Sequence, residues 1–286
     1  MAKILGLVIA LPAEAKAVMG KKHWRRQGRW LTHCHALPAG HTLLVIRSGI
    51  GPENALCAAR WLARQGVCAL GITGVSGGLR PGLKPGDLIV ADQVCRHEDG
   101  PEDRFWPTAS EYTDLLSRQL ADSGRRVFRG PIATGATPVQ NSAEKRALFS
   151  KSGCLAVDME SAAVACAARE TALPFFALRA ICDPADRSLP ADLVDILGQN
   201  GVLQPTVLLG KLLRHPLLAL DLIRLRQDFL AALKALKSTW QASLKNRLAA
   251  CLPEDEQTAA IFHTDAESCR KGDSAFPWIE RVRYRR

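Results

Sequence analysis

Along the first two thirds of the chain, short runs of β-branched and other apolar residues alternate with longer stretches of helical character. The runs at Lys3–Leu11, Leu43–Ser48, Val67–Thr73, Asp87–Val94, Arg129–Thr134, Leu155–Val157 and Phe175–Cys182 predict strands. Between them, Pro52–Gln65 puts proline at a first helical position and stops at Gly66, while Glu160–Thr171 is alanine-rich and stops before Pro174; both predict helices. Strands alternating with helices imply an α/β fold with a central mixed or parallel sheet. Three glycine-rich stretches, Ser48–Gly51, Gly71–Gly78 and Arg80–Gly86, read as connections. The first two follow predicted strands, and ligands in open α/β sheets collect at the carboxyl ends of strands.

Beyond about Asn200 the pattern changes. Val202–Leu252 is dominated by Leu, Ala, Lys and Arg and predicts helix on both sides of Pro216. Within it, Leu217, Leu220, Ile223, Leu225, Phe229, Leu230, Leu233 and Leu236 interleave with Arg224, Arg226, Lys234 and Lys237. Such a stripe packs on its own domain or on a sister subunit, or lies at a membrane interface with its cations outward, a peripheral contact through 211–237. From Pro253 the chain turns polar without a period, which predicts a loosely ordered tail. The organisation expected is a main domain over 1–200, a basic leucine-rich helical extension over 201–252 and the tail over 253–286.

Composition narrows the partners. A chain of 286 residues, 47% apolar, holds one large core and an appendage. The net charge of +10, from 38 basic and 28 acidic residues, calls for an anionic partner such as phosphate, nucleic acid or an anionic membrane. Much of it falls late, from Lys211 to Arg247 and in the closing Arg281–Arg286, which argues against a basic catalytic groove. Nucleic-acid binding is suggested by net charge alone and is the weaker reading, because the basic runs lack regular aromatic interleaving. Nine cysteines without a C-x-x-C pair read as reduced, mostly buried thiols of a cytoplasmic protein. Ile4–Ala10 follows Lys3 as a short secretory signal would, but Pro12 and Glu14 come at once, so a first strand is the better reading. No uncharged run approaches the ~18 residues of a membrane span. His33 and His35 share a strand face without a nearby third ligand, so no metal is expected.

Four features carry candidate chemistry. Arg47, Ser48 and Gly49 open the turn into the Pro52 helix, where free amides suit an anion or a ribose edge; the alternative is a plain tight turn. A G-x-G-x-x-G spacing is missing there, against a dinucleotide site. Glu14, just past the first strand, suits a general base, or a first-turn acid worth roughly 0.3–1 kcal/mol to its helix. Glu160 opens the alanine-rich helix with the same two readings, and Asp183 ends a strand, where Asp-Pro also starts turns.

Six motifs in order say more than any one of them: Ile9-Ala-Leu-Pro-Ala-Glu14, Arg47-Ser-Gly-Ile-Gly51, Thr73-Gly-Val-Ser-Gly-Gly-Leu79, Lys84-Pro-Gly-Asp-Leu-Ile-Val-Ala-Asp92, Ala156-Val-Asp-Met-Glu-Ser161 and Arg179-Ala-Ile-Cys-Asp183. Through them the chain resembles the nucleoside phosphorylase/nucleosidase superfamily over Lys3–Asp186, most closely its methylthioadenosine/adenosylhomocysteine nucleosidase-like branch. The resemblance implies a three-layer α/β/α sandwich around a central mixed sheet, usually assembled as a homo-oligomer, and no cofactor beyond phosphate as a co-substrate. It implies Asp183 as general acid at the purine N7, Glu160 as acceptor from the ribose hydroxyls, and Met159 packed on the sugar. Ser76, Gly77 and Val157 would complete the substrate site, and Glu14 would activate a water or help position a phosphate. For Asp183 to hold a proton near neutral pH its pKa must rise, which desolvation at an apolar strand end achieves. Two departures leave the nucleophile open between water and phosphate. Val75 stands where many hydrolytic relatives have Ser, and Gly71-Ile72 stands where phosphorylases often place Arg, leaving Arg47, Ser48 and Ser76 as phosphate ligands. The layout, a nucleosidase core with a Leu/Arg-rich end, is similar to the hopanoid-associated phosphorylases, which remove adenine from adenosylhopane; this implies a lipid-linked substrate. The alternatives are a soluble nucleosidase for methylthioadenosine or adenosylhomocysteine and a non-catalytic nucleoside- or lipid-surface-binding protein.

Overall fold

The structure is a computed structural model and describes residues 2–97, 105–121, 123–188 and 218–251. β1 (Ile4–Ile9) is buried on both faces, as an unbroken apolar strand between two helical layers must be. It pairs in parallel with β4 (Thr42–Arg47) and β5 (Ala69–Gly78). Beyond β4, β3 (Trp30–Ala36) and β2 (Arg25–Gln27) run antiparallel to the edge. On the other side β5 pairs in parallel with β10 (Phe175–Asp183), which runs antiparallel to β6 (Leu88–Arg96). β6 pairs in parallel with β8 (Val127–Thr134), and β8 with β9 (Ala156–Asp158). β9 then returns antiparallel onto the end of β5, so this half of the mixed sheet closes on itself. A short β7 (Phe105–Pro107) flanks β6.

Alternate residues of β1 enter different cores. Val8 joins the cluster under α2 (Pro52–Arg64) and α5 (Ser161–Glu170). Leu5, Leu7 and Ile9 face α1 (Pro12–Met19), α3 (Ser110–Ala121), α6 (Leu218–Thr239) and α7 (Ala242–Ala250). The result is a three-layer α/β/α sandwich with C-terminal helices. α4 (Ser142–Ser152) covers a small third cluster of Leu79, Cys95, Ala133, Leu148, Cys154 and Val157.

Two expectations need correcting. Gly71–Gly78 is part of strand β5 rather than a connection, hydrogen-bonded to β10 as far as Gly77. Its glycines admit neighbours instead of turning the chain: a Cβ on Gly71 would stand 2.1 Å from the Phe176 ring. The thiols are less buried than expected, since among the described residues Cys95 and Cys154 are buried, Cys34 is exposed and the rest are intermediate.

The inner face of α6 packs on the domain. Ala232, Ala235, Leu236 and Trp240 are buried, and Trp240 Nε1 donates to Thr73 Oγ1 on β5 at 3.0 Å. From α7, Lys245 Nζ donates to the Val18 carbonyl of α1 at 3.0 Å. Leu220, Ile223 and Leu230 face outward, about half exposed. No helix among the described residues is long and apolar enough to cross a membrane. The helix expected before Pro216 and the tail expected from Pro253 lie outside the described residues.

Candidate active site

The site is strung along the end of β5, where Gly74–Gly77 receive side chains from α1, β9, β10 and the start of α5. Pro12 starts α1 directly after β1, which places Glu14 in the first turn. One carboxylate oxygen, Oε2, accepts from the Leu11 amide at 2.8 Å; the other, Oε1, accepts from the Val75 amide of β5 at 2.8 Å. Glu14 is therefore both a first-turn acid and a carboxylate fixed over the sheet. Burial raises its pKa, opposed by Arg179 and by these amides. Because Val75 contributes its backbone, the side chain at that position leaves the Glu14 anchor intact.

Arg179 stands opposite Gly74 in the β10–β5 register and is 1% exposed. A Cβ on Gly74 would lie 2.6 Å from both Arg179 Nη1 and Glu14 Oε1, so only glycine leaves room for the pair. Arg179 Nη2 meets Asp158 Oδ2 at 2.7 Å and lies 3.8 Å from Glu160 Oε2. Its Nε and Nη2 also donate to Ser161 Oγ at 3.3 and 3.1 Å. Asp158 is further held by Thr134 Oγ1 at 2.8 Å and by the amides of Glu160 and Ser161 at 3.2 and 3.1 Å. Glu160 Oε1 accepts from the Gly51 amide at 2.9 Å. Burial, reinforced by Asp158 and opposed by Arg179 and the Gly51 amide, pushes the Glu160 pKa up to about 7. Three buried carboxylates thus share one guanidinium.

The Ser48–Gly51 turn does offer an amide to an anion, but the anion that takes the Gly51 N–H is the protein's own Glu160. Ser48 Oγ donates to the Gly49 carbonyl at 2.8 Å. Arg47 is half-buried at the end of β4 with its guanidinium 5.7 Å from the Trp24 ring centre, and it forms no ion pair among the described residues. Desolvation lowers its pKa.

Asp183 ends β10 opposite Gly77 and is 4% exposed. Its Oδ2 is bonded by Lys145 Nζ from α4, while Oδ1 is buried without a hydrogen-bond partner. Burial raises its pKa and Lys145 opposes the rise. The neighbouring Ser76 hydroxyl is likewise buried and unpartnered. Val157 pairs with Gly77 across β9 and β5, and Met159 lies half-buried between Asp158 and Glu160.

The structure therefore gathers Glu14 and Glu160 around Arg179, and Ser76, Gly77, Val157 and Asp183 at the tip of β5. Arg47 shares no hydrogen bond with either group among the described residues. Sequence reasoning missed Arg179, Asp158 and Lys145 as site residues. An arginine inside the apolar Phe175–Cys182 run was a usable signal, since buried arginines need anionic partners. Lys145 gave none, because Glu144-Lys145-Arg146 looks like a solvated helix face. Among the described residues no cluster of His, Cys, Asp and Glu could hold a metal ion.

Residues 4–212 match the family model of the phosphorylase superfamily. The chain belongs to that superfamily. It is 26% identical over 246 residues to the 5′-methylthioadenosine/S-adenosylhomocysteine nucleosidase of Mycobacterium bovis, covering 73% of this chain and 96% of that one. It is 31% identical over 157 residues to the aminodeoxyfutalosine nucleosidase of Helicobacter pylori, covering 50% and 68%. Among solved structures it is similar in fold to a Helicobacter pylori 5′-methylthioadenosine/S-adenosylhomocysteine nucleosidase complexed with a substituted pyrrolidin-3-ol. That match has a TM-score of 0.67 at 19% identity and covers 86% of this chain and 99% of the other.

Proposed function

We propose that this phosphorylase-superfamily protein cleaves the N-glycosidic bond of a purine nucleoside, with adenine as the base released. The observation that carries the reading is Asp183: a buried carboxyl of raised pKa whose Oδ1 has no partner, at the strand end where β5 also holds Glu14. Breaking C1′–N9 sends the bond's electron pair to the purine and leaves positive charge on the sugar. Asp183 passes its proton to N7, so the base departs neutral. Glu160 accepts hydrogen bonds from the ribose hydroxyls, Met159 packs on the sugar, and Ser76, Gly77 and Val157 line the base side. Glu14 takes a proton from water as its oxygen bonds to C1′. No metal or organic cofactor is needed for these steps.

Water is the nucleophile that suits three carboxylates around one guanidinium, since a phosphate dianion there would meet like charge. Phosphorolysis is the second reading, favoured by Arg47, whose guanidinium has no ion pair among the described residues and stands next to Ser48 and Gly49. For the 5′ substituent, the outward Leu220, Ile223 and Leu230 with Arg224 and Arg226 support a lipid-linked adenosine met at an anionic membrane surface, as in adenosylhopane. Methylthioadenosine and adenosylhomocysteine are the soluble alternatives, which the relatives' names support. Assembly as a homo-oligomer belongs to the same reading.

The test is adenine release from methylthioadenosine and from a lipid-tailed adenosine, with and without phosphate, by the parent and by Asp183→Asn. The parent should release adenine and the variant should be slower by roughly 10²–10⁴-fold at unchanged thermal stability. Phosphate dependence would decide for phosphorolysis. A folded parent that releases base from no purine nucleoside would overturn the reading in favour of a binding protein.

A further inference from the structure

Lys145 sits on α4 in a charged run, yet it is 0% exposed. Its ammonium carries three protons and has three acceptors: Asp183 Oδ2, the Pro184 carbonyl at 3.1 Å and the Arg187 carbonyl at 2.8 Å. Burying two opposite charges costs several kcal/mol of desolvation per ion, about as much as their attraction returns, so an apolar pair would serve stability as well. The arrangement instead leaves one carboxyl oxygen clamped and the other, Oδ1, without a partner.

We propose that Lys145 is the positioning residue for the acid of this site: it fixes Asp183 through Oδ2, directs Oδ1 as the proton-delivering atom, and neutralises the carboxylate formed when the proton leaves. The proposal rests on the reading of Asp183 as the general acid. When the proton moves from Oδ1 to the purine N7 and the C1′–N9 electron pair follows the base, Asp183 is left as an anion in a buried place. A lone buried carboxyl would hold its proton too tightly to give it up, and the ammonium beside it lowers that cost. The other groups facing Asp183 are Cys182, Asp186 and Arg187. Arg187 is paired with Asp228 of α6, so among the described residues Lys145 is the cation in direct contact. Being fully buried, Lys145 cannot touch a nucleoside, and its effect belongs in kcat and in the pH profile rather than in KM.

The experiment compares the full-length parent, Lys145→Met and Asp183→Asn from pH 5 to 10, reading kcat and KM for adenine release. It also reads the infrared band of the protonated Asp183 carboxyl, identified as the band missing in Asp183→Asn. In Lys145→Met the alkaline limb of kcat and the midpoint of the band should both move up by about 1–3 pH units, as loss of an adjacent cation requires. At neutral pH kcat should fall by roughly tenfold or more, a share of the ~10²–10⁴-fold that a placed acid supplies, with KM within about twofold. A merely structural role would lower kcat equally at every pH; that result, or an unmoved band, overturns the proposal. If Lys145→Met does not fold, Lys145→Gln carries the same expectation. The infrared titration needs no turnover, so a parent that releases no base sinks the nucleosidase reading separately from the contact between Lys145 and Asp183.

Discussion

Replacing Arg179 by methionine removes the guanidinium from a place that water cannot refill. Arg179 and Asp158 side chains are each 1% exposed and meet at 2.7 Å, so no solvent screening softens the loss. Breaking such a pair from one side costs about 3–5 kcal/mol, a large part of the 5–15 kcal/mol typical of a folded domain. The three carboxylates do not suffer equally. Asp158 keeps Thr134 Oγ1, Ser161 Oγ and the amides of Glu160 and Ser161, and Glu14 keeps the amides of Leu11 and Val75, whereas among the described residues Glu160 keeps only the Gly51 amide. Glu160 is therefore the group that takes up a proton in the variant, and its pKa rises beyond the parent's value of about 7 because its main opposing cation is gone.

The sign of the pH dependence follows. Above the parent's pKa the folded variant binds more protons than the folded parent, so the variant's deficit grows with pH, at most about 1.4 kcal/mol per unit. The expected deficit is about 3 kcal/mol at pH 6 and about 4–5 kcal/mol at pH 8. Urea unfolding at both pH values, with midpoints compared at constant m, measures it. A deficit below about 1 kcal/mol, or one equal at the two pH values, would refute the view of Arg179 as the sole cation among the described residues that holds this carboxylate cluster.

Two further perturbations probe the scaffold. Gly71→Ala forces a methyl to within 2.1 Å of the Phe176 ring and should cost about 1–3 kcal/mol by overpacking; adding Phe176→Leu should return part of it, which a double-mutant cycle in urea reads directly. Trp240→Ala empties a site 2% exposed and removes the Thr73 hydrogen bond; a loss of about 3–5 kcal/mol is expected, and a loss under about 1 kcal/mol would mean that the C-terminal helices are not part of the domain core.

What could be read from the sequence, and what could not, divides along a physical line. The central strands β1, β6 and β10 were legible because burial on both faces leaves a continuous apolar run, a local signal. The run from Gly71 to Gly78 was misread because glycine is ambiguous on its own: it marks a turn or a close approach, and only Phe176 and Arg179 on β10 show that close approach is the reason here. α4 went unread because its buried residues, Lys145 and Leu148, make no apolar stripe. Glu14, Glu160 and Asp183 were singled out because each lies at the end of an element within a motif, whereas Asp158 was not. Their cations were not: Arg179 hides in an apolar run, Lys145 in a polar one, and each is defined by a partner from another element. Charge compensation has no period along the chain, so sequence can locate an acid but not its strength. For Asp183 that strength is decided by the contest between burial and Lys145, and for Glu160 by the contest between burial and Arg179.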